Sequence, residues 1–539
     1  MALSNLPRSE GPVIGPDEIP RETELKLSVQ PDEAEKLWRH GLLRTLAEGR
    51  TSTRQLKAVY FDTDALDLRR RGIELRVRRE GRRYIQAVKS KRSAALGLVT
   101  RDEDEVVLPD ATPRPALIAD PDIRALVEKL QAGDKLRAVF DTDIRRRSRT
   151  LTSAGASLLA SLDTGAIQAA GRVAPVCELE LELLSGAAGD IFDVAAELQK
   201  TLSLRISGSG KAAIGYALMT EEIARPKKAG QLDLSDCETL NDAVGMIAAE
   251  CLDQILANEP VVLAGEDPEG VHQMRVGLRR LRSFFSIMGT AFPEAQVTHF
   301  KAELKWLASE LGSARDLDVF ATSLLAPVGD AFPGDSGLAL LGKDTVDARK
   351  AAYAQVKATL EGKRYGRLML DFSRWLAESA WTDQALSSES ARLYAPARDF
   401  ADGLLEKRYR HVLKRGRKAT KGSVEDQHAL RIEIKKLRYA SEFFRSLYSK
   451  KKTSRYLRSL AELQEVLGHL NDVAAARDLV WKLTSMHKGG EPQRSIAAGL
   501  VIGWHANAAD ASLQGLSLSW RRLHEAERFW NKPEPSDTA

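Results

Sequence analysis

Cysteine is scarce in this chain: Cys177, Cys237 and Cys251 are the only three among 539 residues. The number is odd and no two stand in a C-x-x-C spacing, which argues against a disulfide framework and a zinc site and fits a reducing compartment. Aromatic residues make up 6% of the chain. Single-strand nucleic-acid binders set aromatic stacking platforms in a positive groove, so this shortage ranks nucleic acid last among partners. No stretch reaches the roughly 18 uninterrupted apolar residues of a membrane span, and Met1 to Arg8 lacks the apolar core of a secretory signal. A soluble, cytoplasmic protein without a membrane partner is expected. A large charge of one sign is missing too: 80 basic against 75 acidic residues leave +5, so any anion-binding role rests on local clustering.

What the chain does have is length and a change of period. At 539 residues it exceeds one hydrophobic core, and roughly two to four domains are expected. Up to residue 220, short alternating segments (58–61, 73–78, 84–89, 103–108, 175–184) are punctuated by Gly, Asp and Pro and by helical stretches at 32–43 and 190–202. That pattern predicts a mainly antiparallel barrel with helices outside. Arg225-Pro226-Lys227-Lys228-Ala229-Gly230 reads as a linker, after which the period becomes about 3.6 and long amphipathic segments run almost to Trp530. The expected organisation is a polar tail at 1–17, a barrel domain at 18–221, a linker at 222–232, an all-α domain at 233–531 and a short tail at 532–539, an α+β protein overall.

The helical half repeats itself. Val271-His272-Gln273-Met274-Arg275 through Arg282 matches Gln427-His428-Ala429-Leu430-Arg431 through Arg438, with His272 and His428 offset by 156. The same offset carries Leu311-Gly312 onto Leu467-Gly468 and Asp316 onto Asp472. One gapless offset for all of these predicts a duplicated helical unit with approximate twofold symmetry.

In the barrel half, charge is placed at every second residue. Glu22-Thr23-Glu24-Leu25-Lys26, Glu74-Leu75-Arg76-Val77-Arg78 and Glu178-Leu179-Glu180-Leu181-Glu182 each put ionised groups on one face of a strand and apolar ones on the other. Asp163 and Glu103 add acids; Lys89, Lys91, Arg101, Arg145, Arg147 and Lys211 add bases. A single such row is most simply a solvated face. Opposed rows of acid and base inside one cavity are costly unless they hold something, and a polyanion with bound divalent cations satisfies both. Glu22 and Glu24 offer the hard oxygens that Mg2+ or Mn2+ prefers, and Lys26 can meet a substrate oxygen. Gly208-Ser209-Gly210-Lys211 is not a phosphate loop: Arg205 and Ala212 stand where that motif needs Gly and Ser or Thr.

These residues in order, with Tyr60-Phe61-Asp62-Thr63, Arg101-Asp102-Glu103, Ser161-Leu162-Asp163 and Ser209-Gly210-Lys211, resemble the CYTH, or triphosphate tunnel metalloenzyme, superfamily over residues 18–221. The resemblance implies an eight-stranded tunnel acting on a triphosphate with a divalent metal. It implies metal ligation by Glu22, Glu24, Glu178 and Glu180, and phosphate contacts by Lys26, Arg76, Arg78, Lys89, Arg101, Arg145 and Lys211, with Asp163, Glu182 and Glu103 as further tunnel acids. At Arg145-Arg146-Arg147 three candidates compete for one inward position. The implied chemistry is in-line attack of water on a terminal phosphorus, with the arginines and lysines neutralising the phosphoryl charge.

In the helical half, His272, Arg275, Arg279 and Arg282 form one helical stripe, repeated by His428, Arg431, Lys435 and Arg438. Beside them run the apolar stripes Met274, Leu278, Leu281 and Leu430, Ile434, Leu437. A basic stripe is usually a solvated helix face, but repetition at matched positions points to a ligand, with one cationic face per copy expected. Asp316, Asp318 and Asp472 read as structural partners of the arginines. The stretch 233–530 resembles the CHAD domain, which implies binding of inorganic polyphosphate along the basic surface. Lys435, Lys436 and Asn471 replace the first copy's Arg279, Arg280 and Arg315, which loses bidentate forks. A histidine among arginines also predicts binding that strengthens as pH falls from 8 to 6.

The leading reading is therefore a metal-dependent inorganic triphosphatase whose helical domain holds polyphosphate and localises the protein to the cytoplasm, on polyphosphate granules. Alternatives are a polyphosphate-binding protein with little turnover, and a related tunnel enzyme acting on thiamine triphosphate or cyclising ATP. Oligomeric state is not legible in the sequence.

Overall fold

Alternation builds the first unit. The computed structural model describes residues 21–133, 135–419, 423–485 and 492–531; the tails expected at 1–17 and 532–539, and the side chains of Lys91, Asn471 and Asp472, lie outside the described ones. In β1 (Arg21–Ser28), Glu22, Glu24 and Lys26 share one side while Leu25 and Leu27, fully buried, share the other. In β8 (Arg172–Ser185), Glu178, Glu180 and Glu182 oppose the fully buried Leu179 and Leu181 in the same way. Between them come β2 (Ala47–Asp62), β3 (Glu74–Glu80), β4 (Arg83–Ala95), β5 (Leu98–Leu108), β6 (Arg137–Ser153) and β7 (Ala156–Ala169), and a two-residue β9 (Arg205–Ile206) adds to β1.

The strand order β5-β4-β3-β2-β6-β7-β8-β1, with β1 pairing back onto β5, is a closed eight-stranded antiparallel barrel. Charge lies inside it and leucine outside, the inverse of an ordinary small barrel, so the apolar outer faces need cover. Helix Ala188–Gln199 packs on β8. Helix Pro121–Ala132, capped by Asp120, buries Ile123 and Val127 against Leu75 and Val88 of β3 and β4. Inside, the lining turns apolar where Phe140, Ile144 and Ile167 meet Tyr60, and helix Lys211–Thr220 adds Ala212 and Tyr216 to this cluster. That helix therefore starts at the charged part of the bore, with Lys211 as its first residue.

The helical half shows its duplication in the element boundaries themselves. Helix Pro268–Met288 recurs as Val424–Phe444, the short turn Gly289–Ala291 as Arg445–Leu447, and the starts Glu294 and Ser336 recur as Lys450 and Pro492, all at the offset of 156. Met274, Leu278, Leu430, Ile434 and Leu437 are fully buried, as the apolar stripes predict. The copies differ at Leu311: the first breaks there between Glu294–Glu310 and Gly312–Val319, whereas the second runs unbroken as Lys450–Ser485.

Periodicity alone makes 233–531 one helical stretch, but the structure divides it. One unit runs to Arg225 and takes back Leu360–Ala380; the other holds Pro226–Thr359 and the chain from Trp381. Helix Lys363–Ala377, inserted between the two copies, packs on Ala188–Gln199 and β9 of the barrel unit. Gln199 fixes it: its Nε2 donates to the Lys363 carbonyl at 2.9 Å while its Oε1 accepts from Leu204 N at 2.7 Å. Arg374 adds an ion pair to Asp193 at 2.8 Å. Gly366 lies so close to the Leu204 carbonyl that a Cβ would collide with it, and would sit 2.7 Å from Gln199 Nε2. Gly366→Ala is expected to lower the stability of the barrel unit by about 2 kcal/mol, read as a lower urea midpoint for hydrogen-exchange protection of β8 and β9; an unchanged midpoint would detach this helix from the barrel.

Candidate active site and cationic cavity

Cross-strand register decides which charges meet inside the barrel. Lys26 faces Glu180 and Glu24 faces Glu182 across β1 and β8. Glu22 faces Arg101, Lys89 faces Glu103 and Glu74, Arg146 faces Asp163, and Asp163 faces Glu178. The result is a cavity of about 270 Å³ lined almost wholly by ionised groups.

Two groups of acids stand in the barrel; of the first, Glu180 lines this cavity, whereas Asp163 and Glu178 are not among its lining residues. Asp163, Glu178 and Glu180 are buried, and one oxygen from each lies within 4.8 Å of the others. Their neutralising charge is already in place. Lys211 Nζ is 2.6 Å from Asp163 Oδ2 and 2.9 Å from Glu180 Oε1, and also pairs with Glu178. Arg146 forks onto Asp163 at 2.7 and 2.6 Å and reaches Glu180 at 2.5 Å, and Lys26 pairs with Glu180 and, at 2.8 Å, with Glu24. Burial pushes all three carboxyls up. The nearby Lys211 outweighs it, with Arg146 for Asp163 and with Lys26 for Glu180, so those two sit below their ordinary range while Glu178 stays raised.

The second group is less balanced. Arg101 Nη2 is 2.5 Å from Glu24 Oε1, and Lys89 Nζ is 2.7 Å from Glu22 and 2.9 Å from Glu103. Glu182 is pushed up to about 7, first by burial and then by the nearby Glu22 carboxylate. Excess negative charge at this end, on hard oxygens, suits a divalent cation. The four acids implied as metal ligands are thus divided: Glu22 and Glu24 stand with Glu182, whereas Glu178 and Glu180 stand with Asp163 around the Lys211 ammonium.

Of the implied phosphate contacts, Lys26, Arg76, Arg78, Lys89, Arg101 and Lys211 line the cavity. Arg145 does not. It is exposed on the outer face, and its neighbour Arg146 points in, because a shift of one residue reverses the face of a strand. Arg147 is turned outward as well, 5.2 Å over the Trp38 ring with Arg149 at 3.8 Å. Even-numbered Phe140 and Ile144 carried the inward parity, but the buried Arg147 and Arg149 obscure it in the sequence. Glu74, already in the charged row of β3, and Tyr60 line it too, and Glu105 is a lining residue that sequence reasoning missed; the Tyr60 hydroxyl accepts from Arg76 Nη1 at 3.4 Å while its ring stacks on Phe140.

The helical unit holds a second charged cavity, of about 980 Å³. Both stripes open onto it: His272, Arg275 and Arg279 from one copy, Arg431, Lys435 and Arg438 from the other. The duplication therefore makes one shared site where two separate faces were expected. Arg282 and His428 are exposed and do not line it. Arg280, Arg315, Arg445 and Arg458 do, and extend the site beyond the predicted stripes. Arg279 Nε is buried without a hydrogen-bond partner among the described residues, and Arg275 Nη1 donates to the Ala308 carbonyl at 2.5 Å. Asp318 is structural but not a partner of the stripe arginines: buried, it accepts from Arg349 at 2.9 and 2.6 Å and from the Tyr353 hydroxyl at 2.8 Å.

A charged barrel bore followed by a duplicated helical unit defines a two-domain class, and the comparisons identify it. The model of the CYTH domain matches residues 20–216 and that of the CHAD domain residues 246–481; the chain belongs to the proteins that join the two. It is 25% identical over 522 residues, 90% of this chain and 93% of the relative, to an uncharacterised protein of Mycobacterium tuberculosis. Its CYTH region is similar to the inorganic triphosphatase of Haemophilus influenzae, 27% identical over 205 residues, 38% of this chain and 56% of that one. Among solved structures, the CHAD domain from the plant Ricinus communis is 31% identical with a TM-score of 0.48, covering 57% of this chain and 98% of that one. Among the described residues no helix is long and apolar enough to cross a membrane.

The imidazole of His272 corrects one expectation. Burial, and then Arg315, pull it down to about 4, so it carries no charge between pH 8 and 6. A depressed histidine stays neutral in the folded state while the unfolded chain protonates below about 6.5, so its contribution to stability is lost as pH falls from there towards 4. An NMR titration is expected to place the His272 inflection near 4; an inflection above about pH 6 would restore the pH-sensitive reading.

Proposed function

We propose that the barrel hydrolyses inorganic tripolyphosphate to diphosphate and phosphate with Mg2+ or Mn2+, and that the helical cavity binds longer polyphosphate. The observation that carries the first part is the lining of the bore: apart from Tyr60, Ala212 and Gly210, every residue lining it is Lys, Arg or Glu. Such a surface suits a ligand that is charge throughout. The similarity of the CYTH region to an inorganic triphosphatase supports the same substrate. The cationic cavity into which both copies project supports the second part, and with it an address on polyphosphate in the cytoplasm.

Lys26, Arg76, Arg78, Lys89, Arg101, Arg146 and Lys211 bind and orient the phosphates. Most of them are now held by carboxylates, so the substrate's oxygens replace partners already arranged, and little reorganisation remains for the reaction itself. Glu22 and Glu24 with Glu182, where negative charge is in excess, would hold the divalent cation; Glu178 and Glu180 with Asp163 would hold one only in exchange for the Lys211 and Arg146 cations that now neutralise them. When bound, it supplies positive charge against the phosphoryl oxygens and lowers the pKa of water. Water oxygen joins the terminal phosphorus as the bond to diphosphate breaks, one proton is released, and the arginines meet the charge that develops on the equatorial oxygens.

Phosphate release from tripolyphosphate, ATP and thiamine triphosphate, measured in parallel with Mg2+ or Mn2+, is expected chiefly from tripolyphosphate. Glu22→Gln and Glu24→Gln should abolish it. Arg146→Ala should lower kcat/KM by about 10²-fold or more, while Arg145→Ala leaves it within about twofold. Preferred turnover of either organic substrate would replace the inorganic assignment.

A further inference from the structure

The chain that leaves the barrel unit is built into the helical unit from Pro226 onward. Lys227 N donates to Asn258 Oδ1 at 3.0 Å, its carbonyl accepts from Asn258 Nδ2 at 2.8 Å, and its Nζ lies 2.5 Å from Asp253 Oδ2. Three residues on, Gly230 N donates to Glu250 Oε1 at 2.6 Å. Both anchors stand on the single helix Leu240–Ala264. Asn258 is fully buried, and Glu250 is also the ion-pair partner of the buried Arg280 at 2.5 Å. A connector solvated along its length would need neither anchor.

Between and beyond these anchors, Lys228 and the segment to Leu232 form part of the wall of the cavity that His272, Arg275 and Arg431 line. The two neighbouring lysines are used differently. Lys227 is taken by Asp253, whereas Lys228, exposed at the cavity, enters no ion pair among the described residues. The backbone pins thus hold an unpaired ammonium against a cavity whose other walls are already cationic. The exposed ammonium stays solvated there and gains Coulomb attraction when an anion enters the cavity.

We propose that the connector is a strap of the anion site: a polyanion seated in the cavity is held by the stripes of both copies on one side and by Lys228 on the other, and its presence immobilises the chain leading to the barrel. The inference rests on the reading of this cavity as a polyanion site. Trypsin cleavage of the full-length protein after Lys227 and Lys228 tests it, with and without long-chain polyphosphate, with binding followed by calorimetry and an unrelated peptide controlling for trypsin itself. Saturating polyphosphate is expected to slow cleavage at these bonds about tenfold. Lys228→Ala should weaken binding about fivefold while leaving tripolyphosphate hydrolysis unchanged. If polyphosphate binds but the cleavage rate and the affinity of the variant are unaltered, the strap is overturned and the anion site stands. If no binding heat is seen, the anion site fails and the strap with it.

Discussion

The ammonium of Lys211 among Asp163, Glu178 and Glu180 is the interaction on which the barrel depends. Three buried carboxylates whose oxygens approach within 4.8 Å repel one another, and among the described residues Lys211 is the one cation that pairs with all three, Arg146 and Lys26 helping at Asp163 and Glu180. Lys211 reaches them because helix Lys211–Thr220 starts at this point of the bore, and that helix is positioned in turn by Ala212 and Tyr216 in the apolar cluster of Phe140 and Ile167. The apolar part of the barrel thus places the cation that makes its charged part tenable.

Charge inside forces the rest of the unit. Strands with ionised inner faces bury leucines on their outer faces, so helices must cover the barrel, and one of them, Lys363–Ala377, is borrowed from between the two copies of the helical repeat. Closure of the sheet through β1 and β5 brings Glu22 against Arg101 and completes the ring of opposed charges. On the proposed function, cations already fixed in place by ion pairs would make anion binding an exchange of contacts more than a creation of them, which is what electrostatic preorganisation requires.

In the helical unit the same physics acts through duplication. One copy presents a cationic stripe that a solvated helix would tolerate; two copies facing one cavity give a site with excess positive charge, in which His272 is kept neutral by burial and by its arginine neighbours. The acids lining it are Asp316 and Glu442; behind it Asp318 fixes Arg349 and Tyr353, while Glu250 balances Arg280 and holds the connector at Gly230.

Much of this was written into the chain. Alternation determined the charged inner faces of β1, β3 and β8, the period determined the helical half, and the offset of 156 determined the pairing of its copies, because each is a local or self-referential pattern. Tertiary structure decided what depends on a partner strand or a neighbouring unit. It chose Arg146 over Arg145, since only the register with β7 says which arginine meets Asp163. It split the acids into two groups, merged two basic stripes into one cavity, and gave helix Lys363–Ala377 to the barrel. These outcomes turn on which residues come together across long sequence separations, and no periodicity encodes that.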